Sequence, residues 1–187
     1  MLREKRDEDP DEDRDEDQDE ELDVVDERDE IVGSASREEI HRRGLLHRSV
    51  HVFLVDGAGR IYLQKRSGWK KEHPLRWDSS ASGHVLKGES YARAASRELA
   101  EELGIEAPVV QVLKVPASAR TGWEHSALFL VRDVAGQLHP VPNPQEIEEG
   151  RFFTEAEIEE LLCRFVETVS PSFSLLYKLW RSRAGQG

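Results

Sequence analysis

Cysteine is almost missing from this chain. Cys163 stands alone among 187 residues, so no disulfide can form within the chain. The opening MLREKRDEDP is acidic where a secretory leader would turn apolar, so no secretory signal is expected and a cytoplasmic location is. No apolar run approaches the roughly 18 residues of a membrane span, so no membrane partner is expected. A surplus of positive charge is also lacking. The net charge is −12, but residues 1–30 alone carry −13, which leaves the remainder close to neutral. That argues against a nucleic-acid-binding surface. No internal repeat is visible.

Acidic residues are what the chain has in excess. Residues 1–30 hold 18 acidic and 5 basic side chains, and DEDPDEDRDEDQDEE has nothing apolar to bury. Such a run is expected to be solvated and disordered. A solubilising tail is preferred over an arm that docks a basic partner. The expected division is a tail at 1–23, one domain at 24–182 and a flexible end at 183–187.

Within the domain, ASREEIHRRG (35–44) reads as a short helix or turn ending at Gly44. SVHVFLVD (49–56) and RIYLQKR (60–66) alternate about GAG as a hairpin. A polar loop at 67–77 follows. Ser90 to Leu103 is helical and Gly104 ends it. Strands are expected at 108–118, 125–134 and 148–153, with a proline-rich connection at 139–144. Thr154 and Glu157 form a capping box, and Ser170-Pro171 opens the last helix. This order predicts an α+β fold, an αβα sandwich with a mixed central sheet.

The central helix carries a conflict. Ala92, Ala95, Leu99 and Leu103 recur at about 100° per residue as an apolar stripe. Beside it Glu98, Glu101 and Glu102 fall at i, i+3 and i+4, where like charges repel by a few tenths of a kcal/mol per pair. Glu101 and Glu102 also sit near the helix C-terminus, where the macrodipole disfavours anions. A solvated acidic face is one reading. The other is a hard divalent cation, which takes carboxylate oxygens.

The flanking residues favour the cation. Gly83, Glu89 and then Arg97-Glu98-Leu99-Ala100-Glu101-Glu102-Leu103-Gly104-Ile105 match every fixed position of the 23-residue pattern GX5EX7REUXEEXGU. The chain resembles the Nudix superfamily. That resemblance implies Mg²⁺- or Mn²⁺-dependent hydrolysis of a diphosphate linkage in a nucleoside diphosphate derivative or related organic diphosphate. Glu98, Arg97 and Glu102 are the implied catalytic set. Glu98, Glu101, Glu102, Glu89 and Gly83 are the implied metal site, Gly83 through its carbonyl. Arg97 would hold a carboxylate in place.

A second resemblance runs from about residue 26 to 180. Leu46-His47-Arg48, Gln64-Lys65-Arg66, Lys70, Pro74, Trp77, Ser82-Gly83-His84, Trp123-Glu124, Asn143-Pro144-Gln145-Glu146-Ile147 and Ser170-Pro171 look like isopentenyl-diphosphate isomerases. Those Nudix relatives use a cysteine before the Gly-His step, a later glutamate, and a metal held by three histidines and two glutamates. Here Ser82 occupies the cysteine position. His41, His47 and His84 fall at or near the histidine positions, His41 one residue out of register. Glu124 matches one glutamate and Gly122 replaces the other. His41, His47, His84 and Glu124 are therefore a candidate second metal or substrate site.

Plainer roles stand beside these. His47 and His51 suit packed strand residues, and His84 suits a hydrogen-bonding role. Arg66, Lys70 and Lys71 are candidates for substrate phosphates or a solvated basic loop. Trp69 and Trp123 are candidates for stacking on a base, though packing is the commoner use. Glu146, Glu148 and Glu149 lie where many Nudix hydrolases draw a further glutamate. The expected function is metal-dependent hydrolysis of a small-molecule diphosphate. The alternatives are a non-hydrolytic ligand-binding Nudix domain and an isomerase-like enzyme using Ser82.

Overall fold

The computed structural model describes residues 20–184. The described residues open with a hairpin, β1 (Glu21–Val25) and β2 (Ile31–Ser36), then α1 (Arg37–Arg43). The main sheet is built from β3 (His47–Asp56), β4 (Ile61–Arg66), β5 (Trp77–Asp78) and β6 (Ala81–His84). After α2 (Tyr91–Leu103) it gains β7 (Val110–Val115), β8 (Glu124–Asp133) and β9 (Ile147–Phe153). The chain closes with α3 (Glu155–Arg164) and α4 (Pro171–Ala184). The main sheet runs β5-β4-β3-β8-β7, with β6 also on β3 and β9 on β4. β3 and β8 are parallel along their whole length, from His47 beside Glu124 to Asp56 beside Asp133.

Central parallel strands are covered on both faces, so β3 reads as an apolar run rather than an alternation. Val50, Val52 and Leu54 pack with Ala94, Ala95, Leu99 and Leu103 of α2. Phe53 and Val55 pack with Ile158, Leu162, Phe173, Leu176 and Tyr177 of α3 and α4. This is the expected α+β sandwich. The expected caps are present. The Ser90 hydroxyl accepts from Arg93 N–H, Gly104 turns the end of α2 at φ 64°, and Thr154 and Glu157 cap α3 reciprocally. Ser170 Oγ accepts from Phe173 N–H at the start of α4.

Four expectations change. Ordered structure begins ahead of residue 24, because β1 pairs with β2 and fully buries Leu22. The tail's acidic composition hides this strand, which offers only Leu22, Val24 and Val25 as apolar signal. At the other end α4 continues to Ala184, beyond the expected limit of 182. Residues 1–19 and 185–187 lie outside the described residues.

The hairpin of β3 and β4 pairs only at Val55 and Ile61. β6 enters instead, and Ser80 explains how. Its buried hydroxyl accepts from Leu54 N–H and donates to Tyr62 C=O, so it serves backbone groups on both strands where the ladder has opened. Finally, Ala92 lies in the first turn of α2 and is exposed, and Ala94 is buried. The buried arc then includes Glu98 and Glu102. These two carboxylates are inside the protein rather than beside its core.

Candidate active site

Two clusters of polar side chains meet across β6. Successive strand residues point to opposite faces. Ala81 belongs to the core beneath α2, and Gly83 faces Glu98 so closely that a Cβ there would lie 2.0 Å from Glu98 Oε1. Ser82 and His84 pair with His51 and Ser49 of β3 and share their face of the sheet.

On the α2 side, Arg97 organises the carboxylates. Its guanidinium donates to Glu98 Oε1 at 2.7 Å, Glu101 Oε2 at 3.0 Å, both oxygens of Glu89 at 3.2 and 3.0 Å, and the His84 carbonyl at 2.9 Å. Glu89 also accepts from Leu86 N–H. Glu102 Oε2 accepts from Gln64 Nε2 at 2.8 Å and from Ser82 N–H at 3.0 Å. Burial pushes the Glu98 carboxyl up to about 7, with Arg97 opposing. Glu102 is pushed well above the usual range by burial and by the charges of Glu98 and Glu146. Glu101 differs from this pair, because its side chain is 57% exposed.

On the other side, His41 from α1, His47 from β3 and His84 from β6 form a nearly equilateral triangle with ring centroids 5.1–5.2 Å apart. Their ligand nitrogens all lie within 4.8 Å of one another. Glu124 Oε1 is 3.5 Å from His47 Nε2 and 3.7 Å from His84 Nε2. Burial opposes charge on both partners, yet Glu124 is held well below the usual carboxylate range by His47 and His84. The same burial works against His84, and Glu124 and Glu20 outweigh it, raising His84 to about 9.

His47 is buried, as a packed strand residue would be, and it also stands in the triangle. His41 joins too, despite its shifted register. His51 does pack. It is buried, its Nδ1 lies 2.9 Å from Ser79 Oγ, and burial lowers its pKa. Arg66 donates to the Glu72 carbonyl and lies 3.6 Å from Asp78. Lys70 pairs with Glu146, and both are felt electrostatically at Glu102. Of the three glutamates left open, Glu146 is the one felt at Glu102, and Glu149 pairs with Lys65 on β4. Lys71 is exposed. Trp69 and Trp123 are 77% and 50% exposed, so neither is a core residue. Glu20, Glu72, Gln64 and the Ser82 N–H were not foreseen at the sites. Only Gln64 and Ser82 carried a signal, through their place in the isomerase resemblance.

A family model described as the NUDIX domain matches residues 45–173. The chain belongs to the Nudix family. Among its Nudix relatives is the "Uncharacterized Nudix hydrolase" of Streptomyces coelicolor, 39% identical over 173 residues, covering 89% of this chain and 92% of that one. The isopentenyl-diphosphate Delta-isomerase of Nocardia farcinica is 37% identical over 151 residues, covering 76% and 83%. The crystal structure of DR0079 from Deinococcus radiodurans superposes with a TM-score of 0.70 at 28% identity, covering 87% and 98%. This Nudix chain is therefore similar to both hydrolases and isomerases. No helix among the described residues is long and apolar enough to cross a membrane.

Nudix relatives of both kinds imply divalent metals, and the residues present fit them. Glu98 and Glu102 are buried carboxylates whose mutual repulsion a cation would relieve, and an oxygen-only set suits a hard ion. Among the described residues, His41 and His47 each leave a buried Nε2 without a hydrogen-bond partner. Three imidazoles and one carboxylate suit a borderline divalent ion.

Proposed function

We propose that this Nudix protein hydrolyses a diphosphate linkage in a nucleoside diphosphate derivative or a related organic diphosphate, with Mg²⁺ or Mn²⁺ at the α2 carboxylates. The observation that carries this reading is the buried pair Glu98 and Glu102, one clamped by Arg97 and the other by Gln64 and Ser82 N–H. A divalent ion held there would neutralise phosphate charge and acidify bound water. Glu98, held by Arg97 at 2.7 Å, would be a carboxylate able to accept a proton from the attacking water. Arg97 is a positioning residue, fixing Glu89, Glu98 and Glu101 in one array. Glu146 adds a further carboxylate, and Lys70 beside it is the cation that substrate phosphates would meet.

The test is a metal-dependent phosphate-release screen over nucleoside di- and triphosphates, nucleotide sugars, dinucleotides and isoprenoid diphosphates. Glu98→Gln and Glu102→Gln keep shape and remove charge. Each is expected to lower turnover by orders of magnitude without loss of fold. Near-native turnover in both variants would overturn the reading.

One observation favours a second reading, isomerisation of an isoprenoid diphosphate. The imidazole triangle and Glu124 are assembled on the face to which Ser82 belongs. A serine hydroxyl is a far weaker acid than a thiol, and Gly122 supplies no carboxylate, so hydrolysis is preferred. Ser82→Ala separates the two. A hydrolase loses at most one neutral hydrogen bond, about 0.5–1.5 kcal/mol. An isomerase would lose its acid and all activity.

A further inference from the structure

The histidine triangle has an outer ring of acceptors that neither resemblance supplies. Each imidazole has its Nδ1 turned outward to an oxygen. His41 Nδ1 lies 3.2 Å from Glu72 Oε1, His47 Nδ1 lies 3.0 Å from the Leu45 carbonyl, and His84 Nδ1 lies 3.6 Å from Glu20 Oε2. A carbonyl and an ionised carboxylate only accept, so Nδ1 of His41 and His47 is placed to donate, while Glu20 flanks Nδ1 of His84 at a slightly longer distance. In the neutral ring that a metal ion would require, Nε2 is then the atom with the lone pair, and it faces the interior. There the Nε2 atoms of His41 and His47 are buried with no hydrogen-bond partner, and Glu124 approaches those of His47 and His84.

We propose that Glu20 and Glu72 are positioning carboxylates of a trihistidine metal site, each holding one imidazole with its Nε2 turned inward toward a borderline divalent cation. The proposal goes beyond the function proposed above, whose metal lies at the α2 carboxylates and not at the imidazoles. Glu20 is anchored for this task. Its carbonyl accepts from Arg37 N–H at 2.8 Å, and its carboxylate lies 3.5 Å from Arg37 Nη1. The β1 strand that follows is fixed against the segment after β6, where Lys87 N–H donates to the Glu21 carbonyl. Glu72 comes from the loop between β4 and β5 and reaches α1 from the opposite direction. With Glu124, the two place three carboxylates around three imidazoles. Outer partners of this kind fix tautomer and ring direction, and removing one costs about 10–100-fold in metal affinity.

Titration of the full chain with Co²⁺ in excess Mg²⁺, read by the visible absorption of the bound ion, tests this. Wild type is expected to bind one Co²⁺ with nitrogen ligation, and His47→Ala to lose it. Glu20→Gln and Glu72→Gln should each weaken Co²⁺ by about 10–100-fold with the near-ultraviolet circular dichroism of the fold unchanged. Wild-type affinity in both glutamine variants would overturn the proposal, as would a wild type that binds no Co²⁺. Glu98→Gln keeps the two ideas apart. It should abolish hydrolysis and leave Co²⁺ binding intact, so failure of the hydrolase reading and failure of this one give different results.

Discussion

Gly83 has room for a hydrogen and little else. A Cβ there would lie 2.0 Å from Glu98 Oε1 and 2.2 Å from its Cδ, and Glu98 cannot easily retreat because Arg97 grips it at 2.7 Å. Gly83→Ala should therefore displace the carboxylate rather than merely crowd it. Turnover is expected to fall as far as in Glu98→Gln, with a stability loss of about 1–3 kcal/mol by thermal melting. Unchanged turnover would show that the carboxylate can shift without consequence. At this scale the box was readable through the Nudix resemblance, because Gly83, Glu89, Arg97, Glu98 and Glu102 lie on one local stretch, whereas helical spacing alone left a solvated acidic face open. The histidines were readable only by resemblance, since His47 and His84 are brought together by strand pairing. Glu20 and Glu72 were not readable at all. Their roles come from tertiary placement, and the sequence around each is ordinary charged surface.

Elements with strong local signals were the legible ones. β3, β8, α2 and the caps of α2, α3 and α4 follow from apolar runs, serine or threonine caps and a closing glycine. β1, β5 and β6 are short and take their burial from neighbours, so no periodicity announces them. The α3 cap offers a pH test. Glu157 accepts from the Thr154 backbone N–H at 2.8 Å, from Arg151 at 2.8 Å and from the Thr154 hydroxyl, which holds its pKa down to about 2. A carboxyl lowered on folding stabilises the native state above its ordinary value near 4.5, and that contribution fades as pH falls toward 2. Glu157→Gln should cost under about 1 kcal/mol at neutral pH, since the group is solvent-screened. The difference should vanish in melts near the Glu157 pKa of about 2. A gap that persists in acid would assign the effect to something other than this charge.

For the whole molecule, the question is where the folded unit starts. Residues 1–19 contain no apolar side chain beyond Met1 and Leu2, whereas β1 buries Leu22 and Val25. A chain beginning at Glu20 should keep its melting temperature and its Co²⁺ affinity. A chain beginning at Asp26 should lose Co²⁺ affinity and melt roughly 10 °C lower, as expected for deleting buried apolar side chains from a domain of this size. Equal melting of the two would place β1 outside the folding unit. The broad plan, helices on both faces of a mixed sheet, was visible in advance because it needs only element order. The opened ladder between β3 and β4 was not, because it depends on Ser80 reaching across from a later segment. That opening is what admits β6, and β6 carries alternate residues to the two sites. A one-residue insertion in this strand would exchange the faces of Ser82, Gly83 and His84 together. Carboxylate helix and imidazole triangle therefore cannot drift separately through insertion or deletion at β6. A shift of register in this one short strand would break both sites at once.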